Sequence, residues 1–297
     1  MSLKNLGILL ALAALWGASF LYIRVAVSEV GPVFLVWLRV GIALLTLLAY
    51  AFLLKIPFSI KKDHAKYYLL GLINTVLPFV LISYAEVHIT SSFAAILNAT
   101  TPLFTAVVAR VWLKEMFTVQ KVLGLLIGFI GVCVLVGWSP MELNLATVLA
   151  ISASLLAALF YGLGSTYAKK TFDVSPLSLS IGQLLGATAC ILPFAAMDVP
   201  AKLPSLPVTL SILALAILST AFAYLLYFRL LRDVGPTQTN YVTMLVPAFG
   251  VIWGMMFLDE PMTTGTVIGM LLILVSVLFF SNLPLSKRKK ATDDHAA

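Results

Sequence analysis

Pro78, Pro102 and Pro247 lie within stretches that are otherwise apolar. A proline inside a helix donates no N–H, so the carbonyl four residues earlier loses its helical partner. Those carbonyls belong to Asn74, Asn98 and Thr243, and Thr101 stands beside Pro102. Each place therefore pairs a freed acceptor with a polar side chain, as expected where backbone lines a cavity, or where a kink is sealed by a neighbouring helix. Arg39 is a cation well inside an apolar stretch. A buried guanidinium must find acceptors, which leaves two readings: an ion pair with Glu86 or a snorkelling side chain at a mouth, or direct contact with a substrate carboxylate. Aromatic and small polar residues sit at comparable depths, namely Trp16, Ser19, Phe20, Tyr84, Tyr161, Tyr224 and Tyr227. Most aromatics in such a chain pack helices or form interface belts. Trp16 and Tyr161, both mid-stretch, are the two expected as cavity walls or gates. This inventory suits holding a small solute, polar at one end and partly apolar.

It does not suit bond-making. His64, His88 and His295 fall in loops or the tail, and no Asp or Glu lies near the middle of an apolar stretch. There is no H-E-x-x-H zinc motif, no phosphate-binding P-loop and no pair of intramembrane aspartates. Metal-assisted hydrolysis and ATP-driven pumping thus lack residues, and neither enzyme activity, cofactor nor metal is expected. Coupling through a buried carboxylate is disfavoured, with Glu86 as the one candidate exception. A channel would need a continuous polar pore with rings of charge or carbonyls, whereas these stretches carry single polar residues.

The elements that must position these residues follow from composition. Of 297 residues 61% are hydrophobic and 10% charged, with a mean hydropathy of +1.06. A soluble domain carries roughly a quarter charged residues, so this is an all-α integral membrane protein. The apolar runs are long enough for helices and lack the short alternating segments of a barrel. Bounding them by charge, Pro or Gly gives ten spans, near 5–27, 33–54, 67–85, 92–113, 119–137, 145–168, 177–197, 208–231, 238–258 and 264–282. With both termini in the cytoplasm, 16 of the 19 Lys and Arg fall in cytoplasmic segments, so the positive-inside rule selects that orientation. The formal charge of +7 is accordingly topological rather than a nucleic-acid footprint. Cys133 and Cys190 lie in apolar runs as packing residues.

Shifting the chain by 145 residues places Leu113-Lys-Glu115-Met-Phe-Thr118 on Leu258-Asp-Glu260-Pro-Met-Thr263. The same shift places Pro102 on Pro247, Gly124 on Gly269, Thr75 on Thr220, and Gly17 and Tyr22 on Gly162 and Tyr167. Trp16 and Tyr161 are equivalent in the same register, and a one-residue slip places Pro32 on Pro176 and Arg39 on Gln183. Five spans per half is an odd number, so the second copy enters the membrane from the other side. An inverted 5+5 repeat of this kind is chiefly a transporter architecture, enclosing a site near the bilayer midplane. Glu115 and Glu260 follow spans 4 and 9 on opposite membrane faces, where capping or pairing with loops is expected. Gly124-x-x-x-Gly128 and Gly265-x-x-x-Gly269 permit close helix approach, either within one chain or at a dimer seam.

Leu15-Trp-Gly-Ala-Ser-Phe20 with Arg24 resembles the first-span signature of EamA-type members of the drug/metabolite transporter (DMT) superfamily. Asn98-Ala-Thr-Thr-Pro-Leu-Phe104 leading to Leu113-Lys-Glu115 is similar to that family too, and weaker copies recur in the second half. The resemblance spans essentially the whole chain. It implies repeats at 1–140 and 141–284 and a cavity built by spans 1 to 4 and 6 to 9, with spans 5 and 10 aside; the charge count leaves a basic cytoplasmic tail at 285–297. The expected function is export of small metabolites, most simply amino acids, across the inner membrane by alternating access, facilitated rather than ATP-driven. A nucleobase, sugar or drug with proton coupling, or a solute channel, stays open as the alternative. The expected partners are the small-molecule substrate and the lipid bilayer, with the chain a monomer or weak homodimer.

Overall fold

A computed structural model describes residues 2–60, 64–112, 119–138, 144–239 and 242–280, with Lys114 and Glu142. Glu115 and the tail 285–297, both singled out in the sequence, lie outside the described residues. The described chain is helical: α1 Leu3–Val30, α2 Pro32–Leu53, α3 His64–His88, α4 in two pieces Ser91–Asn98 and Thr101–Trp112, α5 Val119–Gly137, α6 Leu145–Thr171 and α7 Pro176–Met197. It continues with α8, made of Leu206–Leu213, Ala214–Phe222 and Ala223–Thr239, then α9 Val242–Leu258 and α10 Thr264–Phe280. Seven of these helices are long and apolar enough to cross a membrane, and α5, α9 and α10 contain shorter apolar stretches. Helix is the form that satisfies its own backbone without water, which is why an apolar chain adopts it throughout.

The helix ends are set locally. Ser2, Thr90, Asn144 and Ser175 cap helix N-termini with side-chain oxygens, and Pro32 and Pro176 start α2 and α7, where their missing N–H costs nothing. Gly31, at φ 74°, makes the one-residue joint between α1 and α2.

Pro102 breaks α4 at Ala99–Thr100, whereas Pro247 lies inside the helix α9. In addition, α3 and α8 each contain a π-helical stretch, Leu72–Val76 and Ala214–Phe222. The first, moved by 145 residues, falls inside the second.

Helix pairing is preserved when each helix is exchanged for the one five later. The first helix, α1, packs on α8 and α9 as α6 packs on α3 and α4, α2 packs on α8 as α7 packs on α3, and α2 packs on α7. The helices α5 and α10 pair mainly with each other. Their seam is glycine-rich: a Cβ on Gly131 would stand 2.9 Å from Ile273, and one on Gly269 2.7 Å from Leu135. Gly128, Gly265 and Gly269 of the two G-x-x-x-G motifs thus serve packing within the chain.

The core carries the same duplication. A Cβ on Gly17 would lie 2.7 Å from the Phe249 Cβ, and one on Gly162 2.9 Å from the Thr105 nitrogen. These close approaches let α1 rest on α9 and α6 on α4. Gly17→Val and Gly162→Val are therefore expected to cost roughly 2 kcal/mol each by overpacking, lowering the melting temperature of the purified protein. Gly7→Ala, with nothing within 4 Å and the better helix former in place, should not lower it.

Candidate functional site

Helices α1 to α4 and α6 to α9 enclose a cavity of about 530 Å³. Its lining reaches Val174 and Pro176 at the α6–α7 junction and Val242 at the start of α9, and it stops at Ile23, Ile82 and Ala95 towards the α3–α4 corner. The cavity therefore occupies the middle of the bundle and one end of it.

Arg39, 7% exposed, is the only charged residue among the described lining. It is not paired with Glu86. Its Nε donates to Thr220 Oγ1 at 3.1 Å, and the guanidinium carbon lies 3.7 Å from the centre of the Phe79 ring. Thr220 Oγ1 in turn donates to Leu215 O at 2.8 Å within its π-helical stretch, so its acceptor lone pairs face the guanidinium. Across the cavity, Gln183 Nε2 donates to Thr75 Oγ1 at 2.7 Å and its Oε1 accepts from Asn74 Nδ2 at 3.1 Å. A buried amide and guanidinium are thus held by hydroxyls presented from π-helical turns, each on the opposite half of the chain.

The aromatic walls are Trp16, Phe20, Phe79, Tyr161, Tyr224 and Tyr227. Trp16 and Tyr227 have ring centres 5.7 Å apart, and Phe79 and Tyr161 6.4 Å, spacings typical of favourable aromatic pairs. Ser19, Asn98, Thr101, Thr243, Pro102 and Pro247 complete the sequence-nominated residues on the lining. Asn98 O, freed by Pro102, accepts from Thr101 Oγ1 at 2.7 Å, so the break is sealed by its neighbour's hydroxyl while the Asn98 side chain lines the cavity.

Tyr84 and Pro78 are not on the lining. Tyr84 stacks edge-on with His88, ring centres 5.4 Å apart, and Pro78 is buried where α3 resumes after its π-helical turn. Phe79, Thr220, Ser165, Ser180 and Ser219 line the cavity without having been nominated. For Thr220 the repeat register with Thr75 carried the signal, as that with Asn74 did for Ser219; for Ser165 and Ser180 the sequence offers none.

The bundle end opposite the cavity mouth is closed by side chains on helix termini. Glu260 forms no ion pair among the described residues. Its carboxylate accepts from Ser91 N at 2.7 Å and Ser92 N at 2.9 Å, the first N–H groups of α4. Negative charge at a helix N-terminus is doubly favoured, by hydrogen bonding and by the macrodipole. Arg24 donates to the Glu86 and Val87 carbonyls at the end of α3. Glu29 accepts from Ser205 N at 2.8 Å and Ser205 Oγ at 2.7 Å, tying the end of α1 to the start of α8. Glu86 itself is fully buried, and neither of its carboxyl oxygens has a hydrogen-bond partner among the described residues.

Residues 5–137 and 148–282 each match the EamA-like transporter family. The chain is 24% identical over 285 residues to the uncharacterized transporter YoaV of Bacillus subtilis, covering 95% of this chain and 97% of that one. It is 28% identical to an uncharacterized transporter of Archaeoglobus fulgidus, over 88% and 93% of the two chains. It is 26% identical to the uncharacterized inner membrane transporter YedA of Escherichia coli, over 84% and 81%. A solved crystal structure shares the fold, with TM-score 0.67 and 17% identity, covering 94% of this chain and 96% of that one.

Glu260→Ala removes two hydrogen bonds to a charged group, each worth roughly 1.5–3 kcal/mol. Amide hydrogen exchange over Ser91–Ala95 is expected to speed up by tenfold or more, with α6 and α7 unaffected; unchanged protection at Ser91 and Ser92 would refute the capping role.

Proposed function

We propose, proceeding from the fact that the chain belongs to the EamA-like transporter family, that it exports an amino acid or a closely related metabolite across the inner membrane by alternating access. The single observation that carries this reading is the cavity. Its described lining offers one guanidinium, no acid, several amide and hydroxyl groups, and aromatic rings on both sides. A lining of this composition attracts a carboxylate, repels a cationic drug, and accommodates an apolar side chain against Trp16 and Tyr161. The ammonium of a zwitterion is met by aromatic faces, which favour cations.

The chain is a multi-pass membrane transporter and not an enzyme. Ten spans with both termini cytoplasmic, in two oppositely inserted halves 1–140 and 141–284, are the arrangement we assign to it. The exchange-invariant helix pairing and the twin π-helical stretches support that duplication. In that orientation the cavity mouth at Val174, Pro176 and Val242 faces the cytoplasm, and the end held by Glu260, Arg24 and Glu29 faces outward. Substrate enters from the cytoplasm, is held by Arg39, Asn98, Thr101 and Thr243 against Trp16 and Tyr161, and leaves when the outer contacts part. The cycle is driven by the substrate gradient or by exchange, since the described residues of the cavity lining include no titratable carboxylate.

One observation favours a second reading, a proton-coupled cycle. Glu86 is buried without a hydrogen-bond partner at the closed end, where a carboxyl could take part in proton exchange.

Proteoliposomes preloaded with unlabelled amino acids, with no proton gradient or membrane potential, are expected to take up a subset of labelled ones by counterflow. Trp16→Ala and Asn98→Ala should each raise KM about tenfold, the loss of roughly 1.4 kcal/mol of binding. Flux that requires a proton gradient and disappears in Glu86→Gln would replace the uncoupled cycle by the coupled one. Silence across the panel from folded protein, persisting when a proton gradient is applied, would remove amino acids as the substrate.

A further inference from the structure

Arg39 and Gln183 are equivalent residues of the two halves, one on α2 and one on α7, related by a shift of 144 residues. They make the same bond. Arg39 Nε donates to Thr220 Oγ1 at 3.1 Å, and Gln183 Nε2 donates to Thr75 Oγ1 at 2.7 Å. The two acceptors are themselves equivalent, 145 residues apart, and each sits in the π-helical stretch of its helix. Both donors line the one cavity.

The scaffold is therefore duplicated, whereas the charge is not. Gln183 is neutral and both ends of its amide are occupied, Nε2 by Thr75 and Oε1 by Asn74. Arg39 uses only Nε. Its two terminal nitrogens make no hydrogen bond with any described residue, and Arg39 lines the cavity. The ring of Phe79 packs against the guanidinium, whose carbon lies 3.7 Å from the ring centre. A guanidinium edge with two parallel N–H groups fits one carboxylate in bidentate fashion.

We infer that positions 39 and 183 are two equivalent poles of the substrate site, and that the number of arginines at them sets the number of carboxylates the substrate carries. The protein as it stands has one cationic pole and accepts a solute with one carboxylate, whose other end lies against the neutral pole. Arg39→Gln makes both poles neutral and shifts preference to uncharged solutes. Gln183→Arg supplies a second cationic pole and shifts preference to dicarboxylates. The first variant is compatible with folding, because Gln already makes the corresponding bond at 183 and can donate to Thr220. The inference deepens the export reading and borrows from it only the location of the site.

Two probe series separate the inference from that reading. Succinamide, succinamate and succinate share a skeleton and carry zero, one and two carboxylates, and asparagine and aspartate form the corresponding amino-acid pair. Affinities are measured by the tryptophan fluorescence of purified protein, Trp16 being on the lining. Succinamate and asparagine should be preferred by the unmodified protein, succinamide by Arg39→Gln, and succinate and aspartate by Gln183→Arg, with affinity ratios moving by tenfold or more. Arg39→Lys keeps the charge and should keep the one-carboxylate preference. A purely structural role would weaken every ligand together and leave the ratios unchanged, which overturns the inference; so does an unmodified protein that binds neither series. Binding of the succinate series with the expected ratios, while the amino acids are ignored, upholds the poles and removes the amino-acid reading. Amino-acid binding with ratios that do not move in the variants does the reverse.

Discussion

A polar side chain surrounded by apolar helices must find its partner within the protein, and here the two most consequential ones find it on the other half of the chain. Arg39 on α2 is held by Thr220 on α8, and Gln183 on α7 by Thr75 on α3. The neutral Gln183–Thr75 bond contributes only about 1 kcal/mol net and the charged Arg39–Thr220 bond about 1.5–3 kcal/mol, but a buried donor left without its acceptor costs more than the bond gives. That asymmetry fixes the register of α2 against α8 and of α7 against α3. The π-helical turns serve the same end, because widening the helix at Thr75 and Thr220 changes which way their hydroxyls face. The cavity lies between these two ties.

The closed end of the bundle is held differently. There the groups bonded are the exposed N–H and C=O groups that every helix leaves at its termini, and the partners are the charged side chains Glu260, Glu29 and Arg24. Glu260 comes from the second half and holds α4 of the first; Glu29 comes from the first and holds the start of α8 in the second. Charged groups and helix termini both hydrate well, so parting them exchanges these bonds for water. Apolar packing concentrates elsewhere, in the α1–α9 and α5–α10 seams, where glycines bring helices within contact. The molecule thus combines tightly packed pairs with one end whose contacts are replaceable by solvent.

Much of this was legible in the sequence because hydropathy dictates helices and proline dictates breaks. The helix limits fell within a few residues of the apolar runs, except that α8 extends to Thr239 beyond its last strongly apolar residue. The break in α4 followed from Pro102, yet the same residue at 247 left α9 continuous, since a proline decides only that one hydrogen bond is lost and not how the neighbours respond. The π-helical turns had no local signature. Their trace was the register of Thr75 with Thr220, visible only once the halves were laid on one another. Tyr84 and Glu86 show the limit of an inventory without distances. An aromatic at an interface and one in a cavity read alike, and two opposite charges in neighbouring spans need not meet.

The pattern of matches and mismatches between the halves is itself informative. Equivalence is kept where it builds the frame: Gly17 with Gly162 at the close crossings, Thr75 with Thr220 in the π-helical turns, Trp16 with Tyr161 on the walls. It is lost where groups face the cavity with different chemistry: Arg39 with Gln183, Phe79 with Tyr224, Asn98 with Thr243. A duplicated frame gives the two ends of the bundle comparable ways of packing, which is what exchanging one open end for the other requires. A lining that is not duplicated has a direction, because a solute with one carboxylate interacts with the Arg39 side and the Gln183 side unequally. Symmetry in the frame and asymmetry in the lining are thus separate requirements, the first for moving and the second for choosing what is moved.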